Sequence, residues 1–136
     1  MSQSDVQIVR AGFLAASSGD PTAARDSFDP SIEWDMSGVV GWAEKRVYRG
    51  EEVLDFLRAW ADSWRDWGFD VQEVRDATGE KVFVAIHEWG FGMDSGASVD
   101  QHRYFAVVVR AGRIVQARMF SDRGDALEAA GLAGSR

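Results

Sequence analysis

A chain of 136 residues with a formal net charge of −7 and no cysteine is sized for one domain, 1–136, and excludes disulfides and Cys-ligated zinc or iron–sulfur centres. The acidic balance, with Lys45 and Lys81 as the only lysines, repels phosphates, so nucleic acid is not an expected partner. The opening stretch MSQSDVQIVRAG has no apolar leader core, and no run nears the roughly 18 apolar residues of a membrane span; the expected setting is the cytoplasm, with no membrane partner.

Residues 5–17 read as a helix, because Ile8, Val9, Gly12, Phe13 and Ala16 share one face at helical spacing. Asp20 then caps a short helix that starts with Pro21 and stops at the Asp29–Pro30 break. The stretch SIEWDMSG, 31–38, alternates, with Ile32, Trp34 and Met36 on one side and Glu33, Asp35 and Ser37 on the other, which is a strand pattern. A loop containing an extended piece at Val47–Tyr48 leads to the strongest helical segment, 51–67. Glu51 and Glu52 suit its first turn, and Val53, Leu54, Phe56, Leu57, Trp60, Trp64 and Trp67 form its apolar stripe. Beyond Gly68 the period drops to two, giving strands over 69–75, 82–91, 98–110 and 113–122. A Gly-rich turn, GMDSGA, joins the second to the third, and Ala111–Gly112 joins the third to the fourth. A last helix, 123–131, ends at Gly131.

This order predicts an α+β domain, in which a curved antiparallel sheet wraps around helices and leaves a conical cavity between them. The stretches SSGDPTAARDSFDPSIEWD, VYRGEEVLDFLRAW, GMDSGASV and VVVRAGRIVQARMFSDRGDALEAAGL together resemble the SnoaL-like branch of the nuclear transport factor 2-like superfamily. That superfamily includes ketosteroid isomerases, polyketide cyclases, limonene-epoxide hydrolases and catalytically silent binding modules. The resemblance implies a general-base role for Asp35, which falls where the isomerases carry their first-strand aspartate. The match is partial. Gly12 and Phe13 stand where the isomerases place a tyrosine, and Tyr104 is the nearest polar residue to their late-strand aspartate. His102-Arg103-Tyr104 stands where the epoxide hydrolases carry Arg-x-Asp. SnoaL-type cyclases pair an aspartate with a histidine, and Asp35, Asp122, His87 and His102 are the material for such a pair.

Read by themselves, these residues leave alternatives. Asp35 is either a solvated strand acid or, if it faces the cavity, a desolvated base. His87 and His102 lie on neighbouring strands and can shuttle protons or simply hydrogen-bond. His102 and Tyr104 share a face with Ala106 and Val108, a pattern suited to a pocket wall. Arg103, Phe105, Val107 and Val109 make the opposite face, also mostly apolar, which predicts a homodimer through the outer side of the sheet. Asp122 is a catalytic candidate or the cap of the last helix. Phe13, Trp34, Trp60, Trp64, Trp89 and Phe120 are the expected ligand-lining residues, drawn from a chain rich in tryptophan, with six. No metal-ligand spacing and no cofactor motif is present. The expected function is acid/base chemistry without a cofactor (cyclisation, isomerisation or hydrolysis) on an apolar polyketide-, terpene- or steroid-like molecule. The alternative is a non-catalytic binding or dimerisation module, favoured if Asp35, His87, His102 and Tyr104 do not meet in one cavity.

Overall fold

The computed structural model describes residues 2–42, 44–77, 79–92 and 97–132. Helix α1 spans Ser2–Ala16 and buries Val9, Phe13 and Ala16, the helical row expected from their spacing. Its Gly12 permits a close approach: a Cβ there would stand 3.0 Å from Ser27 Oγ. Ser27 closes the short 3-10 helix Pro21–Ser27, whose cap, Asp20, accepts from the Thr22 N–H at 3.1 Å and the Thr22 hydroxyl at 2.6 Å.

Strand β1 (Phe28–Gly38) pairs with the three-residue β2 (Val47–Arg49), and Trp34 opposes Tyr48. Helix α2 (Glu51–Asp62) follows Gly50, whose φ of +59° suits glycine. Tyr48 stacks on Phe56 with ring centroids 4.2 Å apart, which ties β2 to α2.

The helix expected to reach residue 67 stops at Asp62, and Trp64 and Trp67 belong to β3 (Trp64–Asp76). An aromatic at every third or fourth position fits a helix stripe, yet aromatics also favour strands, and pairing with β4 (Lys81–Gly92) decides the matter. A bulge between Arg65 and Gly68, with Asp66 at φ +53°, bends the start of β3. Strands β5 (Ser98–Arg110) and β6 (Arg113–Phe120) complete the meander. They join through Ala111 and Gly112, both at positive φ (+53° and +78°), as a two-residue hairpin turn requires. Most of the Gly-rich turn GMDSGA lies outside the described residues.

The six strands form one curved sheet in the order β2-β1-β6-β5-β4-β3. The antiparallel sheet expected from the sequence is mixed instead, because β1 runs parallel to β6, with Trp34 beside Ala117 and Asp35 beside Arg118. No hairpin links these two strands, so nothing local fixes them as antiparallel.

Each face of the sheet has its own core. The inner core gathers Val82, Val84, Ile86, Phe105, Val107 and Val109 with α1 and α2. On the outer face Phe83, Ala85, Ala106 and Phe120 are covered by Ala126 and Leu127 of α3 (Arg123–Ala129) and by Ala130. Asp122 caps α3 by accepting from the Asp125 N–H at 2.9 Å. The far end closes in a Schellman motif, in which Leu132 N–H reaches Leu127 C=O, Gly131 N–H reaches Glu128 C=O, and Gly131 has φ +83°. No helix among the described residues is long and apolar enough to cross a membrane.

Candidate ligand cavity

Between α1, α2 and the inner sheet face lies a cavity of ≈ 80 Å³, walled by aromatic and aliphatic side chains. Phe13, Trp34 and Trp60 line it as expected, joined by Trp42 and Trp67. Two charged groups enter this lining, Glu88 from β4 and Arg103 from β5. Their placement follows from the strand period. Val82, Val84, Ile86 and Glu88 share one side of β4, while Val109, Val107, Phe105 and Arg103 share the same side of β5. Antiparallel pairing sets Arg103 opposite Ile86 and Glu88 opposite Gln101, so the two charges are diagonal neighbours at one end of an apolar wall.

Glu88 is 4 % exposed. Its Oε2 accepts from the indole Nε1 of both Trp60 and Trp67, each at 2.8 Å. Its Oε1 faces Arg103 Nε at 3.8 Å, a separation at which opposite charges attract without a formed hydrogen bond. Burial pushes the Arg103 guanidinium below its ordinary value, and the Glu88 carboxylate opposes that shift. Arg103 Nη1 also donates to Ser121 Oγ at 3.3 Å, and Ser121 Oγ accepts the Val40 N–H at 3.0 Å. Trp67 lies within the β3 bulge and shares the inward parity of Phe69, the residue opposite Glu88. Gly90 clears the space beside it, since a Cβ there would lie 3.0 Å from Trp64 Cβ.

The other expected site residues lie elsewhere. Asp35 sits opposite in parity to the cavity-lining Trp34 and Met36. Its Oδ1 accepts the Ser37 N–H at 2.8 Å and its Oδ2 lies 3.7 Å from Arg118 Nε, so it is a strand acid paired on the outer face. The pocket wall expected from His102, Tyr104, Ala106 and Val108 is the outer face, and Arg103 and Phe105 hold the inner one. Alternation could not choose between these faces because both rows of β5 are apolar over their second half. The covering element that decides, α3, comes from the end of the chain. His87 stacks on His102 with ring centroids 5.1 Å apart, His87 Nε2 lies 2.5 Å from Asp100 Oδ1, and His102 Nδ1 lies 3.1 Å from Gln72 Oε1. The two histidines thus meet each other, away from the cavity lining. Asp122 is a helix cap. Phe120 is packed under α3, Trp89 lies beside His87, and Trp64 packs edge-on against Trp60 behind the lining. Among the described residues, no group of three His, Asp or Glu side chains is arranged to hold a metal ion.

Solved structures place this architecture. A protein from Burkholderia thailandensis described as nuclear transport factor 2-like superposes with a TM-score of 0.70 at 28% identity, over 93% of this chain and 95% of that one. The chain has a nuclear transport factor 2-like fold. A protein from Jannaschia described as a SnoaL-like polyketide cyclase shares that fold at TM-score 0.70, 19% identity and coverage of 96% and 93%. So does a protein of ketosteroid isomerase-like fold from Catenulispora acidiphila in complex with trimethylamine, at TM-score 0.69, 15% identity and 95% of each chain. No family model and no curated protein matches the chain. The nuclear transport factor 2-like cone accounts for the resemblance read from the sequence, with SnoaL-like proteins among its structural neighbours.

Sequence reasoning did not place Glu88 and Arg103 among the site residues. A signal was present: β4 carries three apolar residues of one parity followed by a charge, β5 a charge followed by three apolar residues of one parity, and antiparallel pairing brings the two charges to the same end.

Proposed function

We propose that the chain binds a small, mostly apolar molecule in the cone, with Glu88 and Arg103 as its polar end. The observation that supports this most is a buried, hydrogen-bonded carboxylate beside a partly buried guanidinium in an otherwise apolar cavity. Few convergent polar groups on an apolar wall are the mark of a ligand pocket. The trimethylamine complex of a structural neighbour fits a cavity of this kind serving small molecules. The test is titration of tryptophan fluorescence with small cyclic compounds, together with native mass spectrometry of the purified protein for a retained ligand. Trp60→Phe should weaken the response and Asp35→Asn should leave it unchanged. Equal binding by Trp60→Phe and wild type would remove the cavity from the reading.

A second reading is acid/base catalysis of the cyclase, isomerase or hydrolase type, favoured by the adjacency of Glu88 and Arg103. The proton-accepting role then passes from Asp35 to Glu88, and Arg103 stabilises a developing oxyanion. Glu88→Gln should lower turnover on the order of a hundredfold or more. Neither reading calls on a metal or cofactor, and the cysteine-free composition suits the cytoplasm. A second copy of the chain is a further proposed partner. The outer face beyond α3 presents His87, His102 and Trp89, and His102→Glu should split a dimer held there, as read by sedimentation. Phe105, on the inner face, is not the residue to probe for this.

A further inference from the structure

The geometry points to an uncharged ligand that carries a hydrogen-bond donor and an acceptor on neighbouring atoms, as the cis-amide edge of a lactam does. This rests on the reading of the cone as a ligand cavity and specifies its ligand class. The first support is an accounting of polar atoms. The four tryptophans of the lining have all committed their N–H groups within the protein: Trp34 to Met36 Sδ at 3.3 Å, Trp42 to Lys45 C=O at 3.0 Å, and Trp60 and Trp67 to Glu88 Oε2. Glu88 Oε2 is therefore occupied. What remains for a ligand is one acceptor, Glu88 Oε1, and the donors of Arg103 not given to Ser121.

Charge narrows the class. Glu88 and Arg103 sum to zero in a wall with no other charged side chain among the described residues. A ligand carboxylate would gain Arg103 but lie against Glu88. An ammonium would gain Glu88 but lie against Arg103. Either leaves net charge buried in an apolar cavity, which is costly. A neutral ketone meets Arg103 and leaves Glu88 Oε1 without a donor. A neutral secondary amide in the cis form satisfies both, its C=O accepting from Arg103 and its N–H donating to Glu88 Oε1. A volume of ≈ 80 Å³, below the roughly 150 Å³ of an apolar cavity that holds benzene, limits the ligand to at most one small ring.

The experiment compares four probes of similar shape at neutral pH by calorimetry and tryptophan quenching: ε-caprolactam, cyclohexanone, cyclohexanecarboxylate and cyclohexylamine. The wild type should bind the lactam about tenfold more tightly than the ketone, the effect of one added hydrogen bond, and both charged probes more weakly still. Glu88→Gln leaves Arg103 uncompensated, so cyclohexanecarboxylate should rise above the lactam. Arg103→Gln should promote cyclohexylamine in the same way. A wild type that prefers a charged probe, or that binds ketone and lactam equally, overturns the ligand class while leaving the cavity reading standing. An unchanged ranking in both variants does the same. If none of the four probes binds, the cavity reading fails and takes this inference with it.

Discussion

Replacing Glu88 with alanine removes the shared acceptor of two indoles and leaves the partly buried Arg103 without its counter-charge. Breaking a buried ion pair from one side costs about 3–5 kcal/mol, so Glu88→Ala should lower the urea midpoint sharply at an unchanged slope. Glu88→Gln keeps a carbonyl oxygen for the indoles and should cost less. The tryptophans supply a second contrast. Trp64 Nε1 is buried with no hydrogen-bond partner among the described residues, whereas Trp67 Nε1 is bonded to Glu88. Phenylalanine at 64 deletes an orphan donor, while phenylalanine at 67 takes a bond from a buried carboxylate. Trp67→Phe should therefore be the more destabilising by about 1–2 kcal/mol, on the usual worth of a hydrogen bond to a charged group. A thermal-melt comparison of the two variants checks this. At this scale the sequence was hardest to read. Asp35 drew attention through its neighbours Trp34 and Met36, but in a strand adjacent residues face opposite ways, so their company argues for the outer face. The informative neighbours of Glu88 were two and four residues away.

Among the elements, the short 3-10 helix is the one expected to respond to acid through its cap, Asp20. The Thr22 hydroxyl, supported by the Thr22 N–H and Arg58, holds the Asp20 carboxyl below its ordinary value. A carboxylate whose folded value is depressed contributes stability that is present above its unfolded value of about 3.9 and lost as pH falls through the folded one. Wild type should therefore lose thermal stability faster than Asp20→Asn between about pH 5 and pH 2, because asparagine keeps the capping oxygen and does not titrate there. Equal acid sensitivity in the two proteins would remove Asp20 from the account. Element types were largely legible in the sequence: the Pro21 start, the Ala111–Gly112 hairpin and the Gly131 stop are local chemistry that tertiary packing did not override. The end of α2 was not. Trp60, Trp64 and Trp67 fit one helical stripe, and only the pairing of Trp64 with Gly92 and of Gly68 with Trp89 across β3 and β4 assigns the later two to a sheet.

For the molecule as a whole, β1 holds its place through a partner far along the chain. Glu33 of β1 receives a hydrogen bond from Gln116 of β6, 83 residues later, while β3 to β6 pair in sequence order. Non-local pairing of this kind slows folding into the millisecond-to-second range, and the local meander is the natural nucleus. Ile32→Val in β1 should then act mainly on the unfolding rate, and Ile86→Val in β4 mainly on the folding rate. Stopped-flow chevrons with the opposite pattern would exclude this order. The parallel β1–β6 contact also matters during synthesis. At roughly 5–20 residues per second, the interval between Glu33 and Gln116, 83 residues, lasts roughly 4–17 s. Throughout it the nascent chain carries Ile32, Trp34 and Met36 on a strand that lacks β6, the neighbour joining it to the rest of the sheet. Those seconds leave an apolar row of the first strand open to association with other chains until its last partner strand is made.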